Sequence, residues 1–274
     1  MLNVGFAEHH ADWNWKNVSS PFTRIYCVTL GEAWVHLPGH VVHLTPGHLY
    51  IIPPHTTHSY ECSGDFSHYY LHVYEGFKKE TDIFEFYDFP IEVACGSFDE
   101  SLFRQLCEYY PQAALPASDP RSYDNSTKVS DYIRRYNDLP LSQKMQIRGA
   151  TLLLFSHFLQ DARPRIASTD DRMLKVQKYI HNNIYDDIDL HTLADVACVT
   201  HTYLIRLFNK NFGMSPLQYI NQKKVERAQL LLLTSEMPVK EVAYSLGFTD
   251  SSYFIRLFKK TTQLTPQEYR ERMS

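Results

Sequence analysis

Cysteine is scarce. The five present, Cys27, Cys62, Cys95, Cys107 and Cys198, are widely spaced, odd in number and include no CxxC pair. That argues against a disulfide framework and reads as reduced thiols in a cytosolic protein. Long apolar runs are also lacking. The longest, Leu152 to Phe155 with its neighbours, falls far short of the roughly 20 residues a membrane helix needs. The N-terminus has no basic-then-apolar signal pattern, so the expected location is the cytoplasm, with no membrane partner. Nor is there a strong excess of either charge, the formal total being −4. That total hides an asymmetry. Residues 171–274 hold 14 Lys/Arg against 11 Asp/Glu, and residues 1–170 hold 13 against 20. A mildly basic C-terminal part behind an acidic N-terminal one suits nucleic-acid contact confined to one end, with modest, salt-sensitive affinity.

What the chain does have is a repeat. THTYLIRLFNKNFGMSPLQY, from Thr200 to Tyr219, is echoed fifty residues later by DSSYFIRLFKKTTQLTPQEY, from Asp250 to Tyr269. Two copies cannot cap a solenoid, so one helical unit used twice is the better reading. At helical spacing Leu204, Leu207 and Phe208 share one face, as do Phe254, Leu257 and Phe258, and that face must be buried. Thr200 and Asp250 are good N-caps. Each helix follows a short helical piece and a tight break, at Cys198-Val199 in the first copy and Gly247-Phe248 in the second. Gly247 suits a left-handed turn position. Helix, short turn and second helix make a helix-turn-helix, whose second helix enters the DNA major groove. The units are expected at about 190–211 and 238–261.

The opposite face of each second helix then becomes the candidate base-reading set: Thr202, Ile205 and Arg206 in the first copy, Ser251, Ser252, Ile255 and Arg256 in the second. An Arg pairs bidentately with guanine, small hydroxyl residues fit close to base edges, and an Ile suits a thymine methyl. Asn209, Lys210, Lys259 and Lys260, toward the helix ends, are candidate phosphate contacts. The plainer alternative is an αα-hairpin with a solvated basic face. An exposed Ile at the same place in both copies is awkward for that alternative.

Residues 171–274 resemble the DNA-binding domain of the AraC/XylS family of bacterial transcription regulators. The second copy carries the family signature in Ala243, Gly247-Phe248, Ser252-Tyr253-Phe254, Arg256, Phe258-Lys259-Lys260, Thr265-Pro266 and Tyr269-Arg270. The resemblance implies two helix-turn-helix units joined by a rigid helix and reading successive major grooves of double-stranded DNA. Gln263 departs from it, since the family usually has Gly there and Gly213 holds that place in the first copy. A Gln in a left-handed cap is costly, so the second helix is expected to end differently or less stably. Between the copies, Pro216 opens a helix to about Thr234. Its ~18 residues span about 27 Å, the right order for recognition helices one DNA turn, about 34 Å, apart.

The N-terminal half reads as β from Pro21 to about Val93, in short strands broken at Pro38-Gly39 and Pro46-Gly47, which points to a small sandwich or barrel. Residues 1–20 have no clear period and read as an arm or a first strand. PGHLYIIPPHTTHSY, Pro46 to Tyr60, followed by HYYLHVYE, resembles the cupin-type sensor half of the same family, in which the barrel holds an effector. His68, Tyr70, His72 and Tyr74 alternate with Tyr69, Leu71 and Val73, and one set must face the interior. Polar aromatics lining a cup suit a sugar-like or aromatic small molecule. Candidate effector contacts are Arg24, Tyr60, Tyr70 and His72. In the arabinose-responsive member the sugar contacts align with Tyr60, Tyr70 and His72, but its contacting Arg aligns near Leu30, which cannot serve. Arabinose itself is therefore not the expected effector. Enzymatic cupins hold a metal with a His-x-His pair, a later Glu and a final His. His58 falls where the last of these would, but no His-x-His with a following Glu exists, so no metal, cofactor or catalytic residue is assigned.

Beyond the strands, Ser97 to Glu100 reads as a capping box opening a helix with Leu102, Phe103, Leu106 and Tyr110. Pro111 to Asn125 reads as a loop. Val129, Tyr132, Ile133 and Tyr136 form an amphipathic stripe. A longer helix runs from Pro140 to about Gln160, with an apolar arc too wide for one face. Family resemblance puts a homodimer contact there, with Leu152, Phe155 and Leu159 as candidates. DARPRIASTD, Asp161 to Asp170, reads as a linker.

At 274 residues two domains are expected: an all-β cupin-like barrel over 1–95 with appended helices over 96–160, a linker at 161–170, and an all-α domain over 171–274. The resemblance implies an effector-controlled transcription regulator, commonly an activator working with RNA polymerase. The competing readings are a cupin-type metal-dependent enzyme with an appended DNA-binding domain, and a DNA-binding protein indifferent to ligands.

Overall fold

The computed structural model describes residues 3–73, 83–123, 126–164 and 171–272. They form two compact units, one of residues 3–73 and 89–162, the other of residues 83–88 and 163–272. Residues 83–88, counted with the barrel on sequence grounds, thus group with the second unit. Tyr74 and residues 165–170 of the expected linker lie outside the described residues.

The first unit opens with β1 (Asn3–His10), β2 (Thr23–Gly31), β3 (Ala33–Leu37), β4 (His40–Leu44), β5 (His48–Ile52), β6 (Ser59–Glu61) and β7 (Asp65–Val73). After α1 (Ile83–Phe86) and β8 (Tyr87–Asp88), which belong to the second unit, comes β9 (Glu92–Ala94). Strand order is β1-β7-β2-β5-β9 in one antiparallel sheet and β4-β3-β6 in the other. The breaks between β3, β4 and β5 fall at the two Pro-Gly pairs, where proline presets φ and glycine permits the turn. Between the sheets lies an aromatic-rich core that includes Trp13, Tyr26, Tyr50, Tyr60, Phe66 and Tyr70. The fold is the expected sheet-rich, cupin-like barrel. Residues 3–10, read as an arm or a first strand, are a strand, with Asn3 opposite His72 and His10 opposite Asp65.

The appended helices are α2 (Ser97–Tyr109), α3 (Pro120–Tyr123), α4 (Ser126–Asp138) and α5 (Leu141–Leu159). The α2 cap sits one residue earlier than expected. Gly96 is the N-cap, and Asp99 accepts its N–H at 2.8 Å. Asp99 outcompetes Glu100 because it is buried, with His157 of α5 2.8 Å away. Pro111 to Asn125, expected as loop, contains a 3-10 turn at Pro111–Ala113 as well as α3.

In the second unit β10 (Arg163–Pro164) pairs with β8, and the rest is helical. The helices are α6 (Asp171–Asn182), α7 (Leu190–Val196), α8 (His201–Phe212), α9 (Pro216–Thr234), α10 (Val239–Ser245), α11 (Ser251–Thr262) and α12 (Pro266–Arg272). Apolar side chains on one face bury each repeated helix: Leu204, Leu207 and Phe208 of α8, and Phe254 and Phe258 of α11. Leu257 is only half-buried. Ser215 with Gln218 forms a reciprocal cap at α9, and Thr265 with Glu268 repeats it at α12. The reciprocal bonds satisfy orphan N–H groups at each helix start.

The expectation that Gln263 would end its helix differently is corrected. Both recognition helices run 12 residues and both end on a left-handed residue, Gly213 at φ 68° and Gln263 at φ 65°. The Gln263 side chain donates to Lys260 O at 3.1 Å, which helps it hold a conformation L-residues disfavour by about 1–2 kcal/mol. Gln263→Gly should therefore stabilise the second unit by about 0.5–1 kcal/mol, after subtracting glycine's extra unfolded-state entropy. A thermal midpoint unchanged or lowered would show that the Lys260 bond outweighs the backbone cost.

Candidate functional site

The two helix-turn-helix units are built alike. Before the first, Asp189 caps α7 by accepting from Thr192 N–H at 2.8 Å. In the break, Val199 N–H donates to Ala194 O at 3.0 Å, and Phe248 N–H donates to Ala243 O at 3.1 Å in the second unit. Cys198 holds φ 52° and Gly247 φ 71° at the equivalent point. Thr200 then accepts from Tyr203 N–H, and Asp250 accepts from Ser252 N–H. The second break is one residue longer, which is why the copies align at an offset of 49 before it and 50 after.

With their apolar backs docked, α8 and α11 leave matching fronts in solvent. Thr202, Ile205, Arg206, Asn209 and Lys210 are exposed on α8, and Ser252, Ile255, Arg256, Lys259 and Lys260 on α11, with Ser251 half-buried. Ile205 and Ile255 are each 36% exposed. About a third of each aliphatic side chain stays in water at the same place twice, and covering that remainder would add about 0.5–1 kcal/mol that the fold leaves unused. Among the described residues neither Arg206 nor Arg256 has an ion-pair partner, so both guanidinium forks are available. The front is thus a row of small hydroxyl, aliphatic and guanidinium groups followed by lysines. That is the chemistry of base edges followed by phosphates.

The barrel interior gathers the other candidate residues. Strand register sets Arg24 opposite His72, and Tyr26 opposite Tyr70. Arg24, Tyr60, Tyr70 and His72 are all buried, with His58 and His68 beside them. Arg24 donates to Ser20 Oγ at 2.6 Å and lies 4.7 Å above the Phe22 ring. Tyr60 Oη is 2.7 Å from both Tyr26 Oη and His58 Nε2. Tyr70 Oη accepts from Leu115 N–H at 2.8 Å. His58, at the place of an enzymatic cupin's last metal ligand, spends its other nitrogen on Thr56 O at 2.8 Å. Burial, reinforced by the Arg24 charge, pulls His58 down to about 3 and His72 well below the usual histidine range. Burial and the neighbouring His9 do the same to His68. Burial pushes Tyr70 up to about 12. The interior is therefore a set of neutral polar rings around one guanidinium.

Comparison with known proteins decides the family. A model of the AraC-like ligand binding domain matches residues 3–78, and a helix-turn-helix domain model matches residues 193–272. The chain belongs to the AraC family. It is a transcriptional regulator with an N-terminal ligand-binding domain and a C-terminal helix-turn-helix DNA-binding domain. This AraC-family chain is 26% identical over 245 residues to the arabinose operon regulatory protein of Salmonella typhimurium, covering 88% of this chain and 80% of that one. It is 26% identical over 135 residues to the transcriptional activator RhaS of Escherichia coli, covering 49% of this chain and 48% of RhaS. Among solved structures, it is similar to the DNA-binding domain of AdpA in complex with a target DNA. The identity is 29%, the TM-score 0.36, and the match covers 38% of this chain and 92% of that one. No described helix is long and apolar enough to cross a membrane.

Two features of this AraC-family chain escaped the sequence reading. Trp13 stacks on Tyr60 with ring centroids 4.0 Å apart, and His9 on Trp13 at 5.3 Å. The aperiodic first 20 residues thus supply a central wedge of the barrel, and the Trp13/Trp15 pair was the available signal. Cys198 takes the left-handed turn position that glycine fills in the second copy. Aligning the copies with a one-residue gap would have set it against Gly247.

Proposed function

We propose that this AraC-family regulator reads specific double-stranded DNA through α8 and α11, placed in successive major grooves, under control of a small molecule held in the barrel. The observation that carries the reading is the matched exposure of Ile205 with Arg206 and Ile255 with Arg256. Asn209, Lys210, Lys259 and Lys260 hold phosphates. Their spacing along α9 fits one duplex turn, since its 19 residues span about 28 Å. Arg206→Ala and Arg256→Ala are each expected to cost about 1–3 kcal/mol of specific affinity and relax one base position, whereas Lys259→Ala weakens all sequences alike and lowers the salt slope by about 1. Selection of bound sequences from random DNA, followed by titration of each variant, tests this. Equal losses on selected and random DNA for the arginine variants would overturn base reading.

The regulator acts in the cytoplasm, as an activator working with RNA polymerase, and has no catalytic role. RhaS, named as an activator, and an arabinose operon regulator among its relatives support that reading. The effector is a sugar-like or aromatic molecule contacting Arg24, Tyr60, Tyr70 and His72. Because Trp13 fills the space over Tyr60, entry displaces it, and an effector from a candidate library should change tryptophan emission. The regulator works as a homodimer through α5, where Leu152 is 64% exposed and Leu159 39%. Met145, Leu152 and Leu159 recur at seven-residue spacing, with Leu141 four residues before the first, the pattern of a helix seam. Phe155, 5.8 Å from Phe89, borders it. Leu152→Asp should turn a dimer into a monomer by sedimentation at micromolar concentration. A dimer that persists would move the interface elsewhere.

A further inference from the structure

Cys27 and Cys95 stand 68 residues apart in the chain, yet their sulfurs lie 3.1 Å apart. Both ends are held by backbone. Cys27 is buried within β2, paired with Leu49 of β5 and Tyr69 of β7. Cys95 directly follows β9, and its N–H donates to Gly47 O at 2.8 Å. A closure of about 1 Å brings the sulfurs to the disulfide length of about 2.05 Å. Cys27 is sealed from solvent, while Cys95 is half-buried and reachable. Cys62, by contrast, donates its thiol to Gly64 O at 3.2 Å.

We propose that Cys27 and Cys95 form an oxidant-sensing pair, which a hydroperoxide converts into an intramolecular disulfide within the sensor unit. Either sulfur can donate in this contact, and with the Cys27 S–H as donor it is the Cys95 thiolate that is stabilised. That bond pulls the Cys95 thiol down, against its partial burial and the nearby Asp99 and Glu100, and pushes Cys27 up. Cys95 is therefore the sulfur that ionises first and attacks. Its thiolate displaces alkoxide from the peroxide O–O bond to form a sulfenic acid, and the alkoxide takes up a proton. The Cys27 sulfur then attacks the Cys95 sulfenic sulfur, and the hydroxyl leaves with the Cys27 proton as water. In sum, two thiols and one hydroperoxide give one disulfide, one alcohol and one water. The new bond ties central β2 to the residue just before Gly96, the cap of α2. Because Asp99 of α2 bonds His157 of α5, the tie runs directly into the helix pair that carries the exposed apolar row.

The test uses the full chain, treated with hydrogen peroxide, unfolded, and labelled with a polymer-tagged maleimide. The reduced chain should take five labels, one for each of its five cysteines. The oxidised chain should take three, with five restored by dithiothreitol and peptide mapping joining Cys27 to Cys95. C95S, changed at the half-buried position, should take four labels with or without peroxide. Mapping on the unmutated chain keeps the test independent of whether C27S folds. Five labels after peroxide, four with a sulfinic acid at Cys95, a bond joining any other pair, or a C95S chain that still loses two labels would overturn the proposal.

Discussion

Acidification from pH 6.5 toward pH 4 will unfold the sensor unit. His58, His68 and His72 are buried and held neutral in the folded chain, with His58 down at about 3. Once unfolded, each returns to the ordinary histidine value near 6.5. Below that value the unfolded chain binds protons that the folded one refuses, so stability present above pH 6.5 is lost as pH falls toward the folded values. Each such histidine contributes a slope of about 1.4 kcal/mol per pH unit, so three give about 4 kcal/mol per unit. Against a typical domain stability of about 5–15 kcal/mol, about one to four units suffice, and the fall from pH 6.5 to 4 removes about 10 kcal/mol. His9, also lowered by burial though opposed by Asp12, adds to the trend. His10, raised by its bond to Asp65, works the other way but is fully exposed, where such pairs count for little. Tryptophan emission followed by pH should therefore show a cooperative transition between about pH 6 and 4, and His68→Phe should flatten its slope by about a third. A sensor unit equally stable at pH 7 and pH 4 would mean that these rings are hydrated or charged in the fold.

Gly247→Ala will cripple the second helix-turn-helix, where the same change at Gly213 will not. Both glycines have positive φ, 71° and 68°, and each therefore costs an alanine about 1–2 kcal/mol. Their surroundings differ. A Cβ at Gly213 meets nothing within 4 Å, whereas one at Gly247 falls 2.7 Å from Asp186 O and 3.0 Å from Tyr185 O. Backbone carbonyls cannot swing aside as side chains do, so the loop before α7 or the turn itself must move. The expected loss is about 3 kcal/mol or more for Gly247→Ala, against about 1 kcal/mol for Gly213→Ala. Chemical denaturation followed by helical circular dichroism compares the two directly. Equal losses would show that the turn relaxes without disturbing its neighbour.

The helical half was legible because its determinants are local. Thr200, Asp250 and the apolar faces of α8 and α11 act within one or two turns of chain. Even there the helix ending at Gln263 was misread, because a side-chain bond to Lys260 supports a backbone state that residue preference alone disfavours. The barrel was legible in its turns but not in its interior. Thr23 to Val28 are buried on both faces of β2, so alternation could not say which side chains met the cavity. Trp13 reaches Tyr60 across 47 positions and Cys27 reaches Cys95 across 68, distances that no spacing rule spans. The α2 cap moved by one residue because Asp99 answers to His157, a partner 58 positions away.

Lys224, in the middle of α9, is a buried cation whose ammonium is pulled below the usual lysine range by that burial. It donates to Asp186 O at 2.8 Å and sits 5.2 Å from the Phe248 ring centroid. Asp186 leads into the first helix-turn-helix and Phe248 closes the turn of the second, so one side chain grips both. Neither unit is then a transplantable cassette. Severed at α9, each fragment would lose a wall of its own interior, and the intact pair should melt as one.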